Sequence, residues 1–288
     1  MIHQLLNAGA IILVSAGFSP AAIGEETDGS IIMPCNRAAL YSIKPTPGLI
    51  SNKGLVPVSN LFDVPGPMAK TAEDRGILMD ALVGMPNDKE PNKYPSASRN
   101  GSWRDLRIGV LDPESWQQPA FMVKHDASAT KQMIKEIMTA YGTIRPLAKA
   151  FHENIELHFP TTEDRTALPT LHNKQHGFKR DFESYLSNLE YSKVRTLEQL
   201  VQFNKARTGQ ELRKGNFLLI LPGKDNQYIL EECLNFTPGA EEYSETMKHV
   251  RSAGRSQGID QALDRYELDV IIGPADSSIT KMPSFASS

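Results

Sequence analysis

Four consecutive residues, Thr27-Asp28-Gly29-Ser30, could carry acyl-transfer chemistry. A serine hydroxyl is a weak nucleophile at neutral pH and needs a base beside it. The reaction also needs N–H donors aimed at the oxyanion that develops on the attacked carbonyl. A tight turn offers such donors, because glycine permits close approach and unusual φ. Ser30 is therefore the candidate nucleophile, and the backbone N–H groups of Thr27, Asp28, Gly29 and Ser30 are the candidate oxyanion hole. Read alone, Thr-Asp-Gly-Ser is far more often a plain surface turn.

Other residues invite chemistry less strongly. Lys44 is the nearest lysine in sequence that could act as a base, and His3 is a second candidate. His172 and His176 have the i, i+4 spacing of a zinc pair on a helix, but Asn173 stands where H-E-x-x-H has glutamate. With His152 and His158 they read as a solvated face, and no metal is expected. Cys35 and Cys233 form no C-x-x-C pair and read as buried small hydrophobes. The chain has no glycine-rich phosphate loop and no G-x-S-x-G elbow, so no cofactor is expected. Asp276-Ser277-Ser278 follows an apolar strand, where ligands of α/β sheets often sit.

These residues need elements to hold them. Residues 11–24 read as a core helix end or strand, then a short strand leading into the turn. Ile31 to Pro34 leaves the turn, residues 38–43 predict a buried strand, and 44–48 a rigid loop. Thr71 predicts the cap of a helix with Ile77, Leu78, Ala81 and Leu82 on one face, closed by Gly84. Residues 86–104 read as a surface connection. A strand over 106–111, a helix over 126–141 and a strand over 143–147 predict a β-α-β unit. Polar helices are expected over 150–215, a helix over 258–267 and a fully buried strand over 268–273. The fold class is α/β, a mixed β-sheet core flanked by helices.

Of the 288 residues, 40% are hydrophobic and 23% charged, with a net charge of -3. That composition supplies a sizeable core and shows no basic stripe for a nucleic-acid partner. Residues 5–24 carry no charge and are long enough to span a bilayer, but Asn7, Ser15, Ser19 and Pro20 interrupt them and no lysine or arginine precedes them. The stretch reads as buried core, with no membrane partner and a cytoplasmic, reducing location. The sequence leaves the oligomeric state open.

Residues 21–84 strongly resemble the centre of the amidase-signature family. The blocks are G-x-E-T-D-G-S-I at Gly24–Ile31, I-K-P-T-x-G at Ile43–Gly48, G-x-x-P at Gly54–Pro57, D-x-x-G-P-M-A at Asp63–Ala69 and T-x-E-D at Thr71–Asp74. Residues 203–212 and 258–278 resemble later parts of the family more thinly. The resemblance implies one incomplete family domain over 1–288, with a signature core at 9–84 and a helical outer layer or insertion at 150–215. It also implies a hydrolase of small-molecule carboxylic amides with Ser30 as nucleophile.

The family uses a lysine base acting through a bridging serine in a Gly-Gly-Ser-Ser-Gly-Gly loop. That loop falls near Leu6, where residues 2–7 hold no serine, and the lysine falls upstream of Met1. Glu25 stands where many members have threonine. Without base and relay a serine hydrolase keeps about 10³–10⁴ of its advantage over water. The expectation is a feeble or inactive amidase; the alternative is an amidase-like pseudoenzyme or binding module.

Overall fold

The computed structural model describes residues 14–84, 93–118, 123–158, 177–212, 227–236 and 239–281. In chain order the elements are β1 (Ala21–Glu26), α1 (Ile32–Arg37), β2 (Tyr41–Ser42), β3 (Val64–Ala69), α2 (Ala72–Val83), α3 (Lys93–Asn100), β4 (Arg107–Val110), α4 (Ala127–Ile144) and β5 (Ala150–His152). There follow α5 (Phe178–Ser187), α6 (Leu197–Ala206), α7 (Thr208–Glu211), α8 (Tyr228–Asn235), α9 (Ala240–Gly254), α10 (Asp260–Arg265) and β6 (Val270–Ile272). The chain divides into two compact units, residues 1–52, 62–159 and 251–288 in the first, and 53–61 with 160–250 in the second.

Among its described residues the first unit holds two three-stranded sheets. One is antiparallel, in the order β1-β3-β2. The other is parallel, in the order β5-β4-β6. Together with the flanking helices they make the α/β class with mixed strand directions that the sequence predicts.

In the antiparallel sheet β3 is central and wholly buried, and its register sets Glu26 opposite Val64 and Gly24 opposite Gly66. Its sequence, Val-Pro-Gly-Pro-Met-Ala, explains why β2 has only two residues instead of the strand expected over 38–43. Pro67 accepts from Ile43 N through its carbonyl, so the nitrogens of Pro67 and Pro65 face the β2 side and have no hydrogen to give. Pairing stops there. The chain after Ser42 then crosses directly over Gly66, where an added Cβ would lie 2.3 Å from the Ile43 carbonyl oxygen.

Residues 32–37 form α1, where the sequence reading saw only a departing chain. Pro34 sits in its first turn, where a missing N–H costs nothing. Ile31, Cys35 and Met68 pack beneath the sheet as a small core. An added Cβ on Gly24 would lie 3.0 Å from Ile31 and 3.1 Å from Met68, so a bare backbone at 24 lets that core close.

The helix α2 starts as expected: Thr71 Oγ1 accepts from Asp74 N at 3.0 Å, and Gly84 ends it at φ 73°. Its buried face differs. Gly76 and Met79 point inward while Ile77 is exposed. The reason is α3, a helix inside the segment read as a loop: the backbone of Tyr94 and Pro95 comes within 3 Å of where a Gly76 Cβ would be.

The β4-α4-β5 unit is present. The helix is capped by Asp126, which accepts from Ser128 N and Ala129 N, and it runs through Gly142 to Ile144. The returning strand is accordingly displaced from 143–147 to Ala150–His152. Tyr141 is buried and donates to Leu111 O at 3.1 Å; burial, then Asp112, pushes its phenol up to about 12. Met133 and Met138 lie outward, so the inner face of α4 is narrower than the sequence suggests. The strand β6 is half-buried rather than fully buried, and among the described residues it is an edge of its sheet.

In the second unit Phe178, Phe182, Leu186, Leu197, Val201 and Cys233 form the core, with Phe178 and Phe182 stacked at 5.3 Å. Asp181 is buried and accepts from Asn60 N at 3.0 Å and from Arg180 at 2.9 Å. Cys35 and Cys233 are both buried free thiols, as expected.

Candidate active site

The Thr27–Ser30 turn links the end of β1 to the start of α1. What shapes it is Glu26, the last residue of β1, which is fully buried. One carboxylate oxygen, Oε2, accepts from both Ile31 N and Ile32 N at 2.9 Å. Those N–H groups open α1, whose own N-cap residue, Ile31, provides no side-chain cap. A carboxylate there satisfies donors the helix cannot and sits at the positive end of its dipole. The turn is thus closed from below by an acid five and six residues before its two donors.

The other oxygen of Glu26 faces Lys44 Nζ at 3.5 Å, and both side chains are almost wholly buried. Lys44 also donates to Thr27 O at 2.5 Å. Burial draws its ammonium below the ordinary lysine range, partly offset by Glu26, Asp28 and Asp63. A charge pair of this kind contributes little net stability, but removing one partner strands the other at about 3–5 kcal/mol. Lys44, a candidate base by sequence, is here bound to the back of the turn.

A second tie comes from Asp63, just before β3. Thr27 Oγ1 donates to Asp63 Oδ1 at 2.7 Å, and Asn52 Nδ2 donates to Asp63 O at 2.6 Å. Glu25, in β1, also feels Asp63. One of its oxygens, Oε1, is buried without a hydrogen-bond partner, and burial, then Asp63, pushes its carboxyl up to about 7.

Gly29 has φ 135°, a conformation that side chains rarely adopt, and an added Cβ would meet Met33 Cε at 3.0 Å and Thr280 Oγ1 at 3.1 Å. Ser30 is exposed, and its hydroxyl is bonded to no described residue. No described acceptor is bonded to the N–H of Gly29 or of Ser30. An exposed hydroxyl therefore sits beside two backbone donors whose capacity is unspent.

The strand exit at 276–278 is tied to this region. Asp276 accepts from Arg37 Nε at 2.6 Å and Nη2 at 3.1 Å, joining the loop after β6 to α1. Ser277 is buried and donates to Pro274 O at 2.6 Å, so its hydroxyl serves the loop. His152 and His158 are exposed, and no group of three metal-ligating side chains occurs among the described residues. His3, His172, His176 and the Leu6 region lie outside them. No helix of the described residues is long and apolar enough to cross a membrane.

Sequence reasoning found the turn but missed what holds it. Glu26 carried a usable signal, an acid at a strand end a few residues before a helix start. Asp63 opens the D-x-x-G-P-M-A block but, like Asn52, gave no sign of its partner, since those contacts span 36 and 11 residues.

The amidase family's sequence model matches residues 8–222. A Schizosaccharomyces pombe protein with a provisional amidase name is 24% identical over 95% of this chain and 50% of its own length. An Arabidopsis thaliana protein, also provisionally named an amidase, is 26% identical over 92% of this chain and 48% of its own. The crystal structure of peptide amidase from Stenotrophomonas maltophilia superposes with a TM-score of 0.73 at 25% identity, covering 97% of this chain and 56% of that one. The chain spans about half the length of these relatives. The match over most of its residues shows that the chain belongs to the amidase-signature family.

Proposed function

We propose that the protein is by descent a hydrolase of small-molecule carboxylic amides, with Ser30 as the acyl-transfer nucleophile. Ser30 Oγ attacks the amide carbonyl carbon, and the carbonyl oxygen takes up the negative charge. Backbone N–H groups of the turn formed by Thr27, Asp28, Gly29 and Ser30 receive that charge. The C–N bond then breaks, the proton given up by the Ser30 hydroxyl leaves on the amine, and water cleaves the acyl-serine ester to release the acid and restore the hydroxyl. The observation that carries this reading is the exposed Ser30 beside the unbonded N–H groups of Gly29 and Ser30. Donors fixed before the reaction stabilise a developing oxyanion without reorganising.

A second reading is a binding module that keeps the turn without turnover. Its support is that no described side chain is bonded to the Ser30 hydroxyl to take its proton. A fluorophosphonate probe separates the two. Labelling that is lost in Ser30→Ala supports the nucleophile; folded protein that stays unlabelled but binds amides supports the binding module. A net charge of -3 supports a partner that is not nucleic acid, and two free thiols support a cytoplasmic, reducing location.

A further inference from the structure

Acidic side chains gather behind the turn. The ammonium of Lys44 is met by Glu26 at 3.5 Å, and by the charges of Asp28 and Asp63. Glu25 adds a further carboxyl. It lies opposite Pro65 in the pairing of β1 with β3, two residues beyond Asp63, whose charge acts on it. The other elements around β1 supply no cation to answer it. The strand β3 is Val-Pro-Gly-Pro-Met-Ala and β2 is Tyr-Ser, and the guanidinium of Arg37 on α1 is bonded to Asp276.

Glu25 also lacks a donor. Its Oε1 is shut off from solvent and meets no hydrogen-bond partner. An ionised carboxylate in that setting is costly, and taking up a proton removes most of the cost. No ligand has to reach the buried oxygen for this. The residue as a whole is half-buried, so a proton passes between its carboxyl and solvent. Burial, then Asp63, pushes that carboxyl up to about 7, and both forms are populated near neutral pH.

Asp63 links Glu25 to the turn. Its Oδ1 accepts from Thr27 Oγ1 at 2.7 Å, while Lys44 holds Thr27 O at 2.5 Å. Ionised Glu25 sets a second negative charge beside the acceptor that anchors Thr27. An oxyanion forming at the N–H groups of the turn is then opposed by a charge that protonated Glu25 does not have.

We propose that Glu25 is a proton switch for the turn: protonated, it lets residues 27–30 take up an oxyanion, and ionised, it works against one. The inference rests on the acyl-transfer reading of Ser30. Glu25 acts through Asp63 and Thr27 and does not touch the substrate.

The test is the rate at which a fluorophosphonate labels the full chain between about pH 5 and about pH 9, in the natural chain and in Glu25→Gln. In that step Ser30 Oγ replaces fluoride at phosphorus, the hydroxyl proton passes to water, and negative charge builds on the phosphoryl oxygen. The same donors are loaded without amide turnover. Whatever assists Ser30 acts in both chains, so it cancels in the ratio of the two rates. The expected ratio, variant over natural chain, is near one at the acid end. It rises to about threefold at the alkaline end, with its midpoint near 7, where Glu25 titrates. A purely structural role would shift the ratio equally at every pH. Circular dichroism confines the comparison to folded protein, and Glu25→Thr, also neutral, repeats it if the glutamine variant does not fold. A ratio that stays flat overturns the switch and leaves Ser30 as the nucleophile. Absence of labelling in both chains at every pH overturns the nucleophile and the switch together.

Discussion

At the scale of single residues, the turn is governed by side chains behind it. Glu26, Lys44 and Asp63 fix backbone atoms of residues 27, 31 and 32 or the Thr27 hydroxyl, and Ser30 contributes nothing to that hold. Glu25 is the residue most out of keeping. Its carboxyl is pushed up to about 7 from an ordinary value of 4.5. A raised folded value means that the native state binds the proton more tightly than the unfolded chain does. The resulting stabilisation is complete below about pH 4.5 and is lost as pH rises through about 7. Denaturant midpoints across that interval should therefore fall with rising pH in the natural chain. Glu25→Gln, neutral throughout, should flatten this component; an unchanged slope would assign the dependence elsewhere.

At the scale of elements, close backbone approach decides as much as pattern does. Gly66 lies beneath the Ile43 carbonyl, with Ile31 and Pro45 on either side at 3.0 and 3.2 Å from an added Cβ. Backbone cannot move aside as a side-chain end can. Gly66→Ala should cost about 1–3 kcal/mol, read as a lower urea midpoint, with near-neutral effect expected for Gly142→Ala, where nothing is within 4 Å. The same crossing shows why some elements were legible in the sequence and others were not. Local signals sufficed for β1, β4, the Thr71 cap and the start of α4. The short β2 depended on which way the Pro65 and Pro67 nitrogens face, and α3 depended on the bare surface at Gly76. Neither is written in the segment that adopts the structure. For the site, Ser30, Glu26 and Asp63 were legible as letters of the family motif, whereas what Glu26 and Asp63 hold was not, because it depends on a neighbouring helix start and on a partner 36 residues away.

At the scale of the whole molecule, the antiparallel sheet bears on solution behaviour. Among the described residues β1 and β2 are its edges, and Phe18, Ile23 and Tyr41 near them are at least half exposed. Open strand edges beside apolar side chains favour association between chains. Sedimentation velocity should show mass rising with concentration, and Ile23→Lys, which sets a charge on the β1 edge, should reduce it. A natural chain that stays monomeric across the accessible range would refute this.

The clamp at Glu26 and Lys44 has one more consequence, which is historical. It lies on the buried side of the turn, and the hydroxyl of Ser30 lies on the open side. Selection for a folded chain therefore acts on one set of residues, and selection for turnover acts on another. A lineage can lose the second set while the first keeps the loop in its ancestral form. Similarity across this stretch then measures how long a shape has been inherited, and the persistence of the reaction has to be asked of Ser30 and of the group that takes its proton.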